Sequence, residues 1–198
     1  MEREQVKIVI IGHIDHGKST LIGRLLYDTN SLPEGKIEEI KKICKELGRE
    51  IEFAYLIDNL EEEREQQLTI DTAQLFFKTK KRDYVIIDAP GHKEFIRNMI
   101  TGASQADLAI LLIDTNDGIK EQTKRHPYIV KMLGIKNLIV AVNKMDLINY
   151  NKNKFDEIKN ELLLSLEKIG LNPDHIIPIS ALEGENRINK SNKMEWYK

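Results

Sequence analysis

The chain is poor in several things that would define its class. It has one cysteine, Cys44, in 198 residues, which excludes an internal disulfide framework and a cysteine-based zinc site and points to a reducing compartment. The cytoplasm is the expected location. No apolar stretch approaches the ~18 residues of a membrane span. The run Val6–Ile11 is too short for the apolar part of a signal peptide and lacks a small-residue cleavage site, so no membrane partner is expected. Charge of one sign is also missing: 30 Lys+Arg stand against 32 Asp+Glu, a net charge of -2. That balance excludes a whole-chain electrostatic footprint for nucleic acid, which would need a local patch instead. Internal repeats and low-complexity segments are absent.

What is present suits one soluble globular domain: 41% hydrophobic and 31% charged residues in a length ample for a sizeable core. Short apolar, β-branched runs recur at Val6–Ile11, Tyr84–Asp88, Leu108–Asp114, Leu138–Asn143 and Ile176–Ser180. Helical patterns fall between them at Lys18–Tyr27, Glu34–Leu47, Lys93–Ala103, Glu121–Leu133 and Phe155–Ile169. Such alternation predicts an α/β fold, a parallel sheet covered by helices on both faces. A further segment, Thr72–Lys78, runs into Tyr84–Asp88 through a polar link short enough for a hairpin, making one edge strand of the six antiparallel. The basic link reads as a solvated hairpin tip. In Glu34–Leu47, Ile37, Ile40, Ile43, Cys44 and Leu47 share one stripe, so Cys44 reads as a small buried hydrophobe. Residues 181–198 show no helical period, and the last strand is expected to lack the helix that normally covers it. The chain is therefore read as a domain over residues 1–198 cut before its final helix.

Gly12-His13-Ile14-Asp15-His16-Gly17-Lys18-Ser19 fits GxxxxGK[ST] directly behind a predicted strand and directly before a predicted helix. Glycines let the backbone wrap close to phosphate, and the turn aims N–H groups at the helix N-terminus, where anionic charge is favoured. Lys18 would bridge the β- and γ-phosphates and the Ser19 hydroxyl, followed by Thr20, would ligate Mg²⁺. His13 and His16 are expected to bond neighbours through a ring nitrogen rather than to titrate or bind metal. Asp88, at the carboxyl end of a strand, would face Mg²⁺ from across the sheet. Gly91 would sense the γ-phosphate, and the His92 imidazole would orient the attacking water.

A second polar cluster, Asn143-Lys144-Met145-Asp146, ends another strand. Guanine presents N1–H and N2–H₂ side by side, and the Asp146 carboxylate accepts both, whereas adenine would leave that charge unmatched. Asn143 would tie this segment to the phosphate turn, and the Lys144 stem would lie over the ring. Ser180, Ala181 and Leu182, after the last strand, would offer backbone N–H groups to the guanine carbonyl.

The ordered set resembles the GTPase domain of the translational GTPase superfamily, a P-loop NTPase fold, over nearly the whole chain. Pro90-Gly91-His92 with Arg97–Ser104 looks like the second switch of its tRNA-delivering elongation factors, and Glu63–Asp71 looks like the first. By that resemblance Thr69 contacts Mg²⁺ and the γ-phosphate, His92 is the catalytic histidine, and GTP is hydrolysed to GDP. Gln67 stands where the family has glycine. Within the superfamily, Ser19–Leu26, Glu65-Gln66, Ser180–Asn186 and Ser191, Trp196 and Tyr197 are closer to the GTPase subunit of sulfate adenylyltransferase, while Gly12–His16 is more similar to the elongation factors. The resemblance implies an ATP-sulfurylase catalytic subunit as partner, or alternatively tRNA and the ribosome, and β-barrel domains following the one read here. A rival of another class is a nucleotide-dependent binding module in which hydrolysis is incidental. Trp196-Tyr197 is expected to anchor a junction by packing.

Overall fold

The computed structural model describes residues 4–13, 15–32, 35, 37, 38, 42, 53, 74–87, 106–119 and 121–198, with backbone alone at 121 and 122. Ile14, the helical expectation Lys93–Ala103, most of Glu34–Leu47, and the two switch-like segments with Thr69, Asp88, Gly91 and His92 lie outside the described residues.

Six strands form one sheet: β1 Gln5–Gly12, β2 Gln74–Lys78, β3 Asp83–Ile87, β4 Leu108–Asp114, β5 Asn137–Asn143 and β6 His175–Pro178, in the spatial order β2-β3-β1-β4-β5-β6. All neighbours are parallel except β2 and β3, which pair antiparallel from Gln74↔Ile87 to Lys78↔Asp83. The expected mostly parallel sheet with one antiparallel edge is therefore present. Thr79 closes the hairpin by accepting from Arg82 N through its hydroxyl while its own N–H donates to the Arg82 carbonyl. In the basic link, Arg82 pairs with Glu4 at 2.9 Å, and Lys80 and Lys81 are exposed.

Among the described residues the long helices are α1 Lys18–Asp28, α2 Glu121–Met132 and α3 Lys152–Glu167. In β1 both faces are buried. Ile8 and Ile10 join Ile22 and Leu26 of α1 on one side, and Val9 and Ile11 join Val130, Phe155, Ile158, Leu162 and Leu166 of α2 and α3 on the other. Burial on both faces is why the parallel strands read as unbroken apolar runs instead of alternating ones.

Local chemistry moved some boundaries. Helix α3 starts three residues before the expected Phe155 because the Asn151 side chain accepts from Lys154 N and caps the first turn. Strand β6 ends at Pro178 instead of Ser180, because Ser180 turns to bridge Glu185.

The segment after β6 docks rather than trailing. Ser191 caps a 3₁₀ turn, Asn192–Met194, and Met194 is fully buried in the cluster beneath α3. Trp196 and Tyr197 pack on Phe155 with ring centroids 5.3 and 6.3 Å away, and the indole N–H donates to the Tyr150 carbonyl. The aromatic pair thus anchors onto this chain's own α3.

Trp196 is the single tryptophan of the chain, so its emission reports this docking. Phe155→Ala is expected to lower the unfolding free energy by about 3 kcal/mol and to red-shift native-state tryptophan emission. Denaturant melts followed by fluorescence check both, and an unshifted emission would refute the packing described.

Candidate functional site

The carboxyl ends of β1, β4, β5 and β6 open on one rim, where open α/β sheets collect their ligands. Gly12 closes β1 against β4, and a Cβ there would lie 2.8 Å from the Leu112 carbonyl oxygen. Asp15 and Gly17 take left-handed φ values of 65° and 91°, and a Cβ on Gly17 would come within 2.6 Å of the Asn143 amide. These two glycines are thus required by close approach, and Gly17 also by backbone angle. The turn delivers the chain into α1 at Lys18, with Ser19 and Thr20 in its first turn. The Lys18 ammonium donates to the carbonyls of Gly12 and His13, both at 2.9 Å, and is thereby held over the turn.

Three imidazoles gather there. His16 is buried, with Nδ1 3.0 Å from the Leu112 carbonyl. A carbonyl only accepts, so Nδ1 carries the proton, and Nε2 lies 3.5 Å from the Asp117 carboxylate without a hydrogen bond to it. Burial holds His16 below its ordinary pKa, which keeps the ring neutral at pH 7. His13 lies edge-on to it at 5.5 Å. His126, from α2, is pushed down to about 4, first by burial and then by Lys18, His16 and His13. Among the described residues no group of three or more His, Cys, Asp or Glu is arranged to hold a metal ion. Sequence reasoning missed His126. The available signal was its place between Thr123 and Val130, on the stripe of α2 that faces inward.

At the other end, Asn143 closes β5 and is buried. Its Nδ2 donates to the His16 carbonyl and its Oδ1 accepts from Ala181 N, both at 2.9 Å. Lys144 has a left-handed φ of 65°, and Met145 N donates to the Ile179 carbonyl. The Asp146 carboxylate accepts from the buried Ser180 hydroxyl at 2.5 Å. Arg24 of α1 donates to the Leu182 carbonyl at 3.0 Å.

The structure therefore brings together Gly12, His13, Asp15, His16, Gly17, Lys18, Ser19, Thr20, Asn143, Lys144, Asp146, Ser180, Ala181 and Leu182. Of the three residues whose N–H groups are expected to face the guanine carbonyl, Ala181 donates its N–H to Asn143 Oδ1 and Ser180 donates its own to the Glu185 carbonyl, while Leu182 is exposed.

A Mg²⁺ ion suits the oxygen donors that the sequence supplies. Ser19 sits in the first turn of α1 beside the phosphate turn. Ile87, which precedes Asp88 in sequence, pairs with Val9 on the strand leading to that turn.

Comparison with known proteins agrees with this geometry. The chain is 51% identical over 196 residues to elongation factor 1-alpha of Pyrococcus furiosus, covering 99% of this chain and 46% of that protein. It is 48% identical to elongation factor 1-alpha of Methanospirillum hungatei, covering 100% and 47%. The chain thus spans a little under half the length of these relatives. Among solved structures, the Saccharomyces cerevisiae Ski7 GTPase-like domain bound to GDP and inorganic phosphate matches with a TM-score of 0.73 at 26% identity, covering 100% of this chain and 47% of that one. A bacterial selenocysteine-specific elongation factor matches with a TM-score of 0.62 at 32% identity, covering 93% and 26%. These relatives favour the elongation-factor resemblance over the sulfate-activating one. The elongation factor Tu GTP binding domain family matches residues 3–193, and the chain belongs to that family of translational GTPase domains.

Proposed function

We propose that this chain is the GTP-binding and GTP-hydrolysing switch domain of an elongation-factor-type GTPase, working in the cytoplasm with aminoacyl-tRNA and the ribosome as partners. The observation that carries the reading is the Asn143 side chain, which links the phosphate turn at His16 to the base-side turn at Ala181. A ligand with a polyphosphate at one end and a purine at the other is the chemistry such a link suits. The identity to elongation factor 1-alpha over 196 residues supports the tRNA-delivering role in preference to sulfate activation.

In this reading Asp146 accepts the two guanine donors, the Lys144 stem covers the ring, and Lys18 with the N–H groups of the turn hold the phosphates. Ser19, Thr69 and Asp88 would hold Mg²⁺, which when bound neutralises charge on the β- and γ-phosphates. His92 orients a water that attacks the γ-phosphate directly, with no covalent intermediate, and Gly91 reports on that phosphate. Catalysis is positioning and charge stabilisation. No side chain is assigned as an arginine finger, so turnover by the chain alone is slow and a partner accelerates it.

Base choice gives the first test. Asp146→Asn exchanges an acceptor-only group for an amide, so calorimetry should show GTP affinity falling by at least tenfold while that for xanthosine triphosphate rises. Unchanged GTP binding would remove the base-site assignment. His92→Ala should cut turnover by about 10² or more with nucleotide affinity within threefold of the parent. A variant that binds GTP and still turns it over at the parental rate would leave the binding-module reading in its place. Aminoacyl-tRNA should be retained in the presence of a non-hydrolysable GTP analogue and released with GDP; equal retention in both would sink the delivery role.

A further inference from the structure

We infer that Asp114 is a positioning residue for the base end of the site, holding the Lys144 side chain laid out before the purine arrives. The inference rests on the base-site reading above. Asp114 is the last residue of β4 and lies in register with Asn143 of β5. Its Oδ2 is 2.6 Å from the Lys144 Nζ, and its Oδ1 accepts from Asn116 N at 2.8 Å. The carboxylate is 7% exposed and the lysine side chain 31%, so the carboxylate needs these partners and solvent ions screen the pair little.

The backbone of Lys144 is held from the same strand end. Thr115 donates its hydroxyl to the Lys144 carbonyl at 2.8 Å and its N–H to the Asn143 carbonyl at 3.1 Å. This matters because Lys144 takes a φ of 65°, which a side-chain-bearing residue adopts only where its surroundings enforce it. Two adjacent residues of β4 and its following turn thus fix both ends of one lysine, the carbonyl through Thr115 and the ammonium through Asp114. A lysine has high rotamer entropy, and ordering it on binding costs affinity. Holding it beforehand removes that cost, which is the general route by which a rigid site gains affinity without a new contact. Asp114 acts on the nucleotide only through Lys144.

The test is a double-mutant cycle on the full chain, with GDP binding read by calorimetry and folding by thermal melts. Asp114→Asn should weaken GDP roughly tenfold, and it should add little in a Lys144→Met background, where the group it holds is gone. Inorganic pyrophosphate, which probes the phosphate end alone, should bind the parent and Asp114→Asn alike. In steady state the loss should fall on KM for GTP more than on kcat. GDP affinity within twofold of the parent for Asp114→Asn, or an equal loss in both backgrounds, would overturn the inference. Should Asp114→Asn fail to fold, Asp114→Glu carries the test: it keeps the charge but displaces the ammonium, and must weaken GDP at least threefold. If Lys144→Met and Asp146→Asn both leave GDP affinity intact, the base-site reading itself is what fails.

Discussion

One buried amide organises the rim. Asn143 joins the His16 carbonyl, 127 residues before it, to the Ala181 N–H, 38 residues after it. Three turns that follow three different strands are thereby held at fixed spacing by a side chain 2% exposed. In such a place an unmet amide would cost on the order of 1–3 kcal/mol, so the two bonds and the turn positions stabilise one another. Gly17 shows how tight the arrangement is, since even a methyl group there would collide with the Asn143 amide. The sheet makes the link possible by bringing the carboxyl ends of β1 and β5 onto one side, with β4 between them.

Electrostatics at the phosphate end follows from burial as much as from charge. His16 and His126 are both driven toward the neutral form by desolvation, and the Lys18 ammonium beside them lowers His126 further. The positive character of the turn at neutral pH therefore comes from Lys18 and the backbone N–H groups of the α1 terminus. At the base end a different logic holds. Asp114 and Asp146 are each satisfied by this chain's own donors, Lys144 and Ser180, so the acidic side chains are oriented by the protein itself.

Much of this was legible in the sequence. The alternation of apolar runs predicted five of the strands to within two residues at each end, because strands buried on both faces must be apolar throughout. The motifs Gly12–Ser19 and Asn143–Asp146 were legible because they sit directly at the ends of the strands that carry them. Finer assignments were harder. Short strings such as Ser19–Leu26 and Glu65-Gln66 pointed to sulfate activation, but they sample few positions, and identity spread over 196 residues favours the elongation factors. The start of α3 escaped because the cap lies outside the apolar period, at Asn151.

The sequence by itself determined the fold class, the order of strands and helices along the chain, and the identities of the groups on the rim. Periodicity and local turn chemistry act within a few residues and need no partner to be read. Only the tertiary structure decided which groups meet: His126 beside the P-loop histidines, Asp114 against Lys144, Ala181 N–H on Asn143, and Trp196 on Phe155. Each is a contact between segments more than 25 residues apart, fixed by sheet order and by the need to satisfy buried polar groups. Neither is written in any local stretch of chain.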